Sequence, residues 1–232
     1  ALPIFGWQMM ALKSGEMSGL PVPPKTIELL DKRLRRVEAN QPVGGLFGYT
    51  NRGVKPSMTA EGLLCLQFMG VDRNDPRMRA GADYLMKNLP SRNQQNTSYY
   101  WYYATYALFQ MGGQKWKEWQ KHLHPALVKT QHVDKSRKNL HGSWDPVGAW
   151  GDDGGRVYST AILTLTLQAH YRYTPLYGLG FEPDPLEPAL QVCAYDNLPA
   201  PPVFRSAQNL TTPNKEPHET DPPVRDHGAS PY

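Results

Sequence analysis

Hydrophobic positions along the chain follow two patterns that alternate. In the first pattern, apolar residues recur three or four positions apart, which places them on one face of a helix and leaves the other face polar. The segments Lys25–Glu38, Met78–Leu89 and Trp116–Gln131 have this pattern. Each is predicted to be an amphipathic helix with one face in water, and Pro125 is expected to kink or split the last of them.

In the second pattern, a segment of helical length carries almost no charge. Met58–Gly70 has Glu61 as its only charged residue, whereas Tyr99–Met111 and Val157–Tyr171 contain no Asp, Glu, Lys or Arg. A helix that is apolar on nearly every side is a buried helix. A further inner helix is predicted over Phe5–Leu20, with apolar positions at Trp7, Met10, Ala11 and Met17.

The alternation of buried and amphipathic helices predicts two layers. Charge-free helices would form an inner wall, and each amphipathic partner would pack outside it, because an open solenoid would make both helices of a pair amphipathic. Glycine-rich loops, of which Gly142–Gly155 is the clearest, would gather at one end. Residues 1–177 are therefore predicted to form an all-α domain, either an α/α barrel or an arc of one.

Residues 178–232 have a different composition. They hold half of the 22 prolines of the chain and few large apolar residues. Such a segment cannot bury enough apolar surface to fold alone, so we expect an extended tail that docks onto another subunit. The candidate anchors for this docking are Phe181, Tyr195, Val203 and Phe204.

The charge of the chain is mildly basic, with a net charge of +4 and a pI near 9.0. The basic residues cluster locally in Lys32–Arg36 and Lys135–Lys138, which are predicted to be solvated faces. A nucleic-acid partner is not expected, because a continuous basic stripe and a recognisable reading element are both missing. No apolar run reaches the ~18–20 residues that span a bilayer, so no transmembrane segment is predicted.

Cysteine and histidine usage gives no reason to expect a metal or a cofactor. Cys65 and Cys193 are too few for a disulfide framework or a cysteine metal site. His122 and His124 are two positions apart, so on a helix they point away from each other and cannot share a metal. The nearby His132 and His141 fall in a charged loop, where solvated side chains are expected.

Several segments of residues 5–177 resemble the prenyltransferase and squalene-oxidase repeat group of the α/α-toroid superfamily. They are GGLFGYT, MTAEGLLC, YYWYYATYALFQMGG, GSWDP and GGRVYSTAILTLTL. The superfamily includes terpene cyclases, protein prenyltransferase β-subunits and complement-type thioester domains, and the chain is most similar to bacterial members of the kind common in planctomycetes. The resemblance implies inner and outer helices around a central cavity. With about three and a half helix pairs, the ring would be incomplete unless upstream sequence or a partner closes it.

The catalytic motifs of that superfamily are missing. Hopene-type cyclases protonate their substrate with a DxDD motif, and the nearest match is Asp152-Asp153, which lacks the spaced first aspartate and reads as a turn. Prenyltransferases need a zinc site of Asp, Cys and His, but Cys65 lies among leucines. The GCGEQ-type thioester motif is also missing. Asp152 and Asp153 therefore remain weak catalytic candidates, and no metal or cofactor is predicted.

The aromatic residues are the remaining candidates for a binding site. Toroid cyclases stabilise carbocations with aromatic faces, whereas a dense aromatic helix elsewhere is more often core packing. The candidates for a cavity wall are Tyr99, Trp101, Tyr102, Tyr103, Trp144 and Trp150. The element that runs from Gln131 to Trp144 loosely resembles the QxxxGxW brace of the superfamily.

Three functional hypotheses follow. We favour a non-catalytic structural or interaction subunit, because an incomplete ring leaves apolar faces that require a protein partner or self-assembly. The alternative is an enzyme or carrier for an isoprenoid or another small apolar ligand, with Asp152 or Asp153 as the acid. A third is a glycan- or peptide-binding module that uses the loop aromatics. The compartment stays open, since a chain that begins at Ala1 is either exported after removal of a signal segment, otherwise processed, or a fragment.

Overall fold

The computed structural model describes residues 2–40, 42–91 and 98–172, and these residues form eight helices without an extended strand. The all-α prediction is therefore confirmed for the described residues. The predicted tail, with Phe181, Cys193, Tyr195, Val203 and Phe204, lies outside them. The helices are α1 (Leu2–Met17), α2 (Pro24–Val37), α3 (Pro56–Phe68), α4 (Pro76–Met86), α5 (Ser98–Met111), α6 (Gly113–Thr130), α7 (Gly151–Leu167) and α8 (Ala169–Arg172).

Proline begins three of these helices. α2, α3 and α4 start at Pro24, Pro56 and Pro76, where the missing N–H costs no hydrogen bond and the fixed φ suits a first helical turn. Asp75 caps α4, and its carboxylate accepts a 2.8 Å hydrogen bond from the amide of Arg77. The expected split at Pro125 does not occur, since α6 runs through that position as one helix.

α3 and α5 form the centre of the fold. α5 packs against α3, α4, α6 and α7, and every residue from Ser98 to Gln110 is buried. α3 is buried from Met58 to Gln67 and lies against α1, α4 and α5. The near absence of charge in these two segments, with Glu61 as the single exception, predicted their burial correctly, because each side of the helix meets a neighbour.

The amphipathic helices pack with one face inward, as their stripes predicted. α2 buries Leu34 and Val37, and α4 buries Met78, Ala82 and Leu85. α6 is anchored by its two buried tryptophans, and the indole of Trp119 donates a 2.9 Å hydrogen bond to the hydroxyl of Thr105 on α5. Each of these helices keeps a polar face toward solvent, because only one side meets the inner helices.

The two end helices differ from the prediction. α1 buries Phe5 and Met9 rather than the predicted stripe, and it leaves 42% of Trp7 and 61% of Met17 exposed. α7 was expected to be buried on nearly all sides, but 82% of Val157 is exposed. The reason is position: α1 packs mainly on α3, and α7 mainly on α5, so each has a neighbour on one side only.

A similar hydrogen bond fixes the loops that precede α3 and α7. The Phe47 amide donates to Thr59 Oγ1 at 3.1 Å, and the Trp144 amide donates to Thr160 Oγ1 at 3.3 Å. In both cases the donor is a buried aromatic residue, and the acceptor lies in the first turn of α3 for Thr59 and five residues after the break at Gly155 in α7 for Thr160. Phe47 fits there because its ring fills the space beside Gly62, where an added Cβ would lie 2.3 Å from the ring.

Candidate functional site

A pocket with a volume of about 360 Å³ lies between α1, α5 and the start of α7. Four of the residues that line it are aromatic, one is aliphatic, one is a glycine and one is an aspartate. The lining residues are Ile4, Trp7, Tyr99, Trp150, Asp153, Gly154 and Tyr158. The pocket therefore combines apolar and aromatic walls with a single carboxylate.

Trp150 enters this pocket from a strained backbone position. Its φ of 69° is the only positive φ of a non-glycine residue in the described ranges. The left-handed region costs roughly 1–2 kcal/mol for an L-residue, and such strain concentrates at functional sites. The turn is held by a 2.9 Å hydrogen bond from the Gly151 amide to the Gly148 carbonyl, and Gly151 lies too close to Pro146 to carry a side chain.

Trp7 is held in the pocket wall by two buried tyrosines behind it. Its ring stacks on Tyr102, with centroids 5.4 Å apart and planes 25° apart. Its ring also meets Tyr103 nearly edge-on, with centroids 5.8 Å apart. Offset stacking and edge contacts are the favoured arrangements of aromatic pairs, so the indole has a fixed orientation while 42% of the residue stays exposed.

Tyr158, the fourth aromatic residue of the lining, can occupy its position only because residue 154 is a glycine. A Cβ added to Gly154 would lie 2.5 Å from the Cβ of Tyr158 and 2.7 Å from its ring, so a larger residue at this position would displace the tyrosine. Gly155 then adopts a φ of 63° and interrupts the helical dihedral angles of α7. The glycines of this segment thus let the first turn of α7 pack closely against its own second turn.

A buried acid lies behind the pocket. Glu61 is fully buried on α3, where Oε1 accepts a 2.8 Å hydrogen bond from the Gly6 amide and Oε2 accepts a 2.9 Å hydrogen bond from the Tyr99 hydroxyl. Burial raises the pKa of Glu61 to about 8, although the hydrogen bonds from Tyr99 and Gly6 lower it. The Glu61 side chain is therefore mainly a neutral acid at pH 7.

Burial also raises the pKa values of the phenol and thiol groups near Glu61. The pKa values of Tyr99 and Tyr103 are raised, first by burial and then by the negative charge that Glu61 can carry. Burial likewise raises the pKa of Cys65. A buried thiol with a raised pKa is a poor nucleophile and a poor metal ligand, so Cys65 belongs to the core.

The structure brings together only part of the predicted aromatic set. Tyr99 and Trp150 line the pocket, and so does Asp153, the second of the two weak catalytic candidates. Its neighbour Asp152 is exposed but is not part of the lining. The remaining candidates for the cavity wall do not line it: they are Trp101, Tyr102, Tyr103 and Trp144, all buried in the core.

Trp144 has a structural role instead. Its indole N–H donates a 3.0 Å hydrogen bond to the Leu127 carbonyl of α6, while its amide is bound to Thr160 on α7. Gln131 Nε2 donates to the Gly142 carbonyl at 2.8 Å. The segment from Gln131 to Trp144 therefore ties the end of α6 to α7.

Next to the segment from Gln131 to Trp144, four polar side chains form a hydrogen-bonded cluster. Asp145 accepts hydrogen bonds from His132 at 2.8 Å and from Arg156 at 2.5 Å, and Arg156 also donates to Ser143 Oγ at 3.0 Å. The bonds from His132 and Arg156 hold the pKa of Asp145 below its ordinary value. His132 is thus a partner of a carboxylate rather than a fully solvated side chain.

The histidines and the helices of the described residues bear on whether a metal site or a membrane crossing is present there. Across residues 2–40, 42–91 and 98–172, no group of three His, Cys, Asp or Glu side chains is placed to hold a metal ion. His122 pairs with Glu118 at 3.1 Å. The same residues include no helix with the length and apolarity that a membrane crossing requires.

Glu61 and Trp7 are the functional candidates that sequence reasoning missed. Glu61 was visible as the one charge on an otherwise apolar helix, which is a signal of a buried and partnered acid. Its partners were not visible, because Gly6 lies 55 positions and Tyr99 38 positions away along the chain. Trp7 was noted as an apolar position, but nothing in the local sequence indicated that it would be partly exposed in a pocket.

Comparisons of the chain with protein-family models, with characterised proteins and with solved structures give no match. The part of the chain that the structure describes is an all-α fold with α3 and α5 buried at its centre and an aromatic pocket between α1, α5 and α7.

Proposed function

We propose that this chain is a non-catalytic interaction protein, built as an incomplete arc of α/α-toroid repeats whose end helices bind a protein partner. The order of packing supports the arc, because α1, α3, α5 and α7 contact one another in sequence order while α4 and α6 lie beside them. The matching hydrogen bonds of Phe47 to Thr59 and of Trp144 to Thr160 support a repeated unit.

The observation that carries the proposal is the apolar surface of the end helices. Ile4 is 62% exposed on α1 and Val157 is 82% exposed on α7, with Trp7 and Trp150 about two-fifths exposed beside the pocket. Ile4, Trp7 and Trp150 adjoin one another at the pocket. Adjoining exposed apolar groups mark interaction sites more often than isolated ones do, and tryptophan is enriched among residues that dominate binding energy. The ends of the arc are therefore the proposed contact surface.

The position of Glu61 supports a role without catalysis. Glu61 is the carboxyl with the strongly raised pKa, but it is fully buried, and its Oε2 is occupied by the Tyr99 hydroxyl. A general acid has to reach within hydrogen-bond distance of the reacting atom. Asp153 does reach the pocket, but the other residues that line it are apolar, aromatic or glycine, so no second acidic side chain lies there to assist it.

The decisive experiment measures, for three versions of the protein, the mass of the complex that each one forms under native conditions. They are the unaltered chain, the variant Trp7→Ser with Val157→Lys, and the control Val133→Lys, which changes a valine that is 67% exposed in the loop after α6. We expect the unaltered chain and the control to form the same complex of fixed stoichiometry in native mass spectrometry, and the double variant to lose it. Equal masses for all three proteins, whether assembled or monomeric, would contradict the proposal.

A second candidate function, a carrier of an apolar ligand, is favoured by the pocket itself. Its volume of about 360 Å³ falls at the lower end of the range for ligand sites, and its wall is mainly aromatic. Titration with an isoprenoid alcohol while the fluorescence of Trp7 and Trp150 is followed would test this function. A saturable change that is lost in Tyr158→Ala, a variant that keeps both tryptophans, supports a carrier, and a linear or absent change counts against it.

A further inference from the structure

The pocket has the composition of a site for an organic cation. Aromatic faces attract a positive charge through their quadrupoles, and cages of aromatic residues recognise alkylated ammonium groups. Trp7, Tyr99, Trp150 and Tyr158 contribute aromatic rings to the lining here, and Asp153 contributes the single carboxylate of the same pocket. A purely apolar ligand would gain nothing from that carboxylate and would have to remove water from it.

The charge of Asp153 is available to a ligand. Asp153 forms no salt bridge with the described residues, and the nearby cation Arg156 is already engaged by Ser143 and Asp145. The start of α7 carries partial positive charge, which would oppose a bound cation. That opposition is limited, because Gly155 interrupts the helical dihedral angles after one turn and two aspartates lie in that turn.

The aromatic walls are fixed before a ligand arrives. Trp7 is held by Tyr102 and Tyr103, and Trp150 is held by the glycine turn that forces its positive φ. Tyr99 is held by its hydrogen bond to Glu61. Walls that are already ordered lose little conformational entropy on binding, so even a small ligand can bind measurably.

We propose that the pocket between α1, α5 and α7 binds an alkylammonium group, with Trp7, Trp150, Tyr99 and Tyr158 as the cage and Asp153 as the counter-charge. The ligand could be a free quaternary amine or a methylated lysine side chain of a protein, since both present the same cationic group. The inference does not rest on the proposed interaction function, because a monomer of this chain has the complete pocket.

The first test compares two probes of the same shape. Choline carries a trimethylammonium group, and 3,3-dimethyl-1-butanol has the same branched shape without the charge. By isothermal titration calorimetry we expect saturable binding of choline that is about tenfold tighter than that of the neutral alcohol, since a cation–π contact in a partly desolvated site contributes on this order. Equal affinities, or no saturable binding of either probe, would overturn the proposal.

Matched variants separate charge, aromatic character and shape. Asp153→Asn should weaken choline binding about tenfold or more, whereas Asp152→Asn should leave it unchanged, because Asp152 is the adjacent acid outside the lining. Trp150→Phe should retain most of the affinity, and Trp150→Leu should lose it. Equal losses for the two aspartate variants, or full affinity in Trp150→Leu, would contradict the cage. Thermal melting of each variant checks that it is folded.

A third arm identifies the source of the cation. A short peptide with one trimethyl-lysine and the same peptide with unmodified lysine are titrated beside choline. Tighter binding of the trimethylated peptide than of choline assigns the pocket to a modified protein, and the reverse order assigns it to a free amine. If the unmodified peptide binds as tightly as the trimethylated one, the aromatic cage does not read the alkyl groups and the proposal is wrong.

Discussion

The hydroxyl of Tyr99 donates a 2.9 Å hydrogen bond to Glu61 Oε2 and so joins a buried acid to the wall of the pocket. The same carboxyl accepts the amide of Gly6, which connects α1 to α3 at its other oxygen. One side chain thus links three helices, α1, α3 and α5, because α5 carries Tyr99. Changes at Glu61 are expected to alter both the stability of the fold and the shape of the pocket.

The first prediction concerns stability and pH. The pKa of Glu61 is about 8 in the folded chain, above its ordinary value of 4.5, so the folded state holds a proton that the unfolded state releases. The free energy of unfolding should therefore fall as pH rises from about 4.5 to about 8, by at most about 1.4 kcal/mol per pH unit, and this contribution should be constant above that range. Urea denaturation at several pH values measures the slope.

The variant Glu61→Gln serves as the control for that slope. Glutamine keeps the size of the side chain and the acceptor for the Gly6 amide, but it does not titrate. The contribution of this site to the pH dependence should vanish in the variant. An unchanged slope between pH 4.5 and pH 8 would show that Glu61 is not the responsible group.

The second prediction concerns the hydrogen bond from Tyr99. This bond stabilises the charged form of Glu61 and lowers its pKa, although burial has the larger effect. Tyr99→Phe should therefore raise the pKa of Glu61 further, as measured by carbon NMR of the side-chain carboxyl. Tyr106→Phe is the control, because the Tyr106 hydroxyl donates to the Leu165 carbonyl instead. A fall in the pKa in Tyr99→Phe would contradict this assignment.

The third prediction concerns the close approach of α1 to α3. A Cβ at Gly6 would lie 2.7 Å from Glu61 Oε1 and 2.7 Å from the Tyr103 hydroxyl. Gly6→Ala should therefore destabilise the fold by about 1–3 kcal/mol, as overpacking does in other cores. Gly15→Ala in the same helix has its nearest neighbour at 3.9 Å and should be neutral or stabilising by up to ~1 kcal/mol. Equal effects of the two changes in urea denaturation would argue against close packing at Gly6.

The fourth prediction concerns the two matching hydrogen bonds before α3 and α7. Thr59→Val and Thr160→Val remove the acceptors for the amides of Phe47 and Trp144, and each should cost about 1–3 kcal/mol because a partly or fully buried N–H loses its partner. Thr164→Val should cost less, since its hydroxyl only bonds back to the Thr160 carbonyl of its own helix. Similar small costs at all three positions would remove this support for a repeated unit.

The fifth prediction concerns residues 178–232, whose composition predicts an extended segment without a core of its own. Deleting them should leave the thermal unfolding of the helical part nearly unchanged while weakening the proposed complex. Scanning calorimetry measures the first effect, and native mass spectrometry measures the second. A large loss of thermal stability would show that this segment contributes to the helical core.

Local sequence was enough for the features that depend on local chemistry. The lack of charge in α5 predicted its complete burial, because a helix without a polar face has no stable position in water. α2 and α4 begin at Pro24 and at the Asp75-Pro76 pair for local reasons, since capping and a fixed φ act within one turn. These effects are carried by residues adjacent in the chain.

The tertiary structure alone decided which apolar faces stay exposed and which residues form the pocket. α1 and α7 have the composition of inner helices, yet each lies at an end of the packing order and keeps one apolar side uncovered. Glu61 has a raised pKa because helices distant along the chain bury it, and Trp150 has its position because its turn packs against Pro146. The hydrophobic pattern of a sequence determines which sides of a helix are apolar. Which of those sides are covered depends on the helices that pack against it in the folded structure.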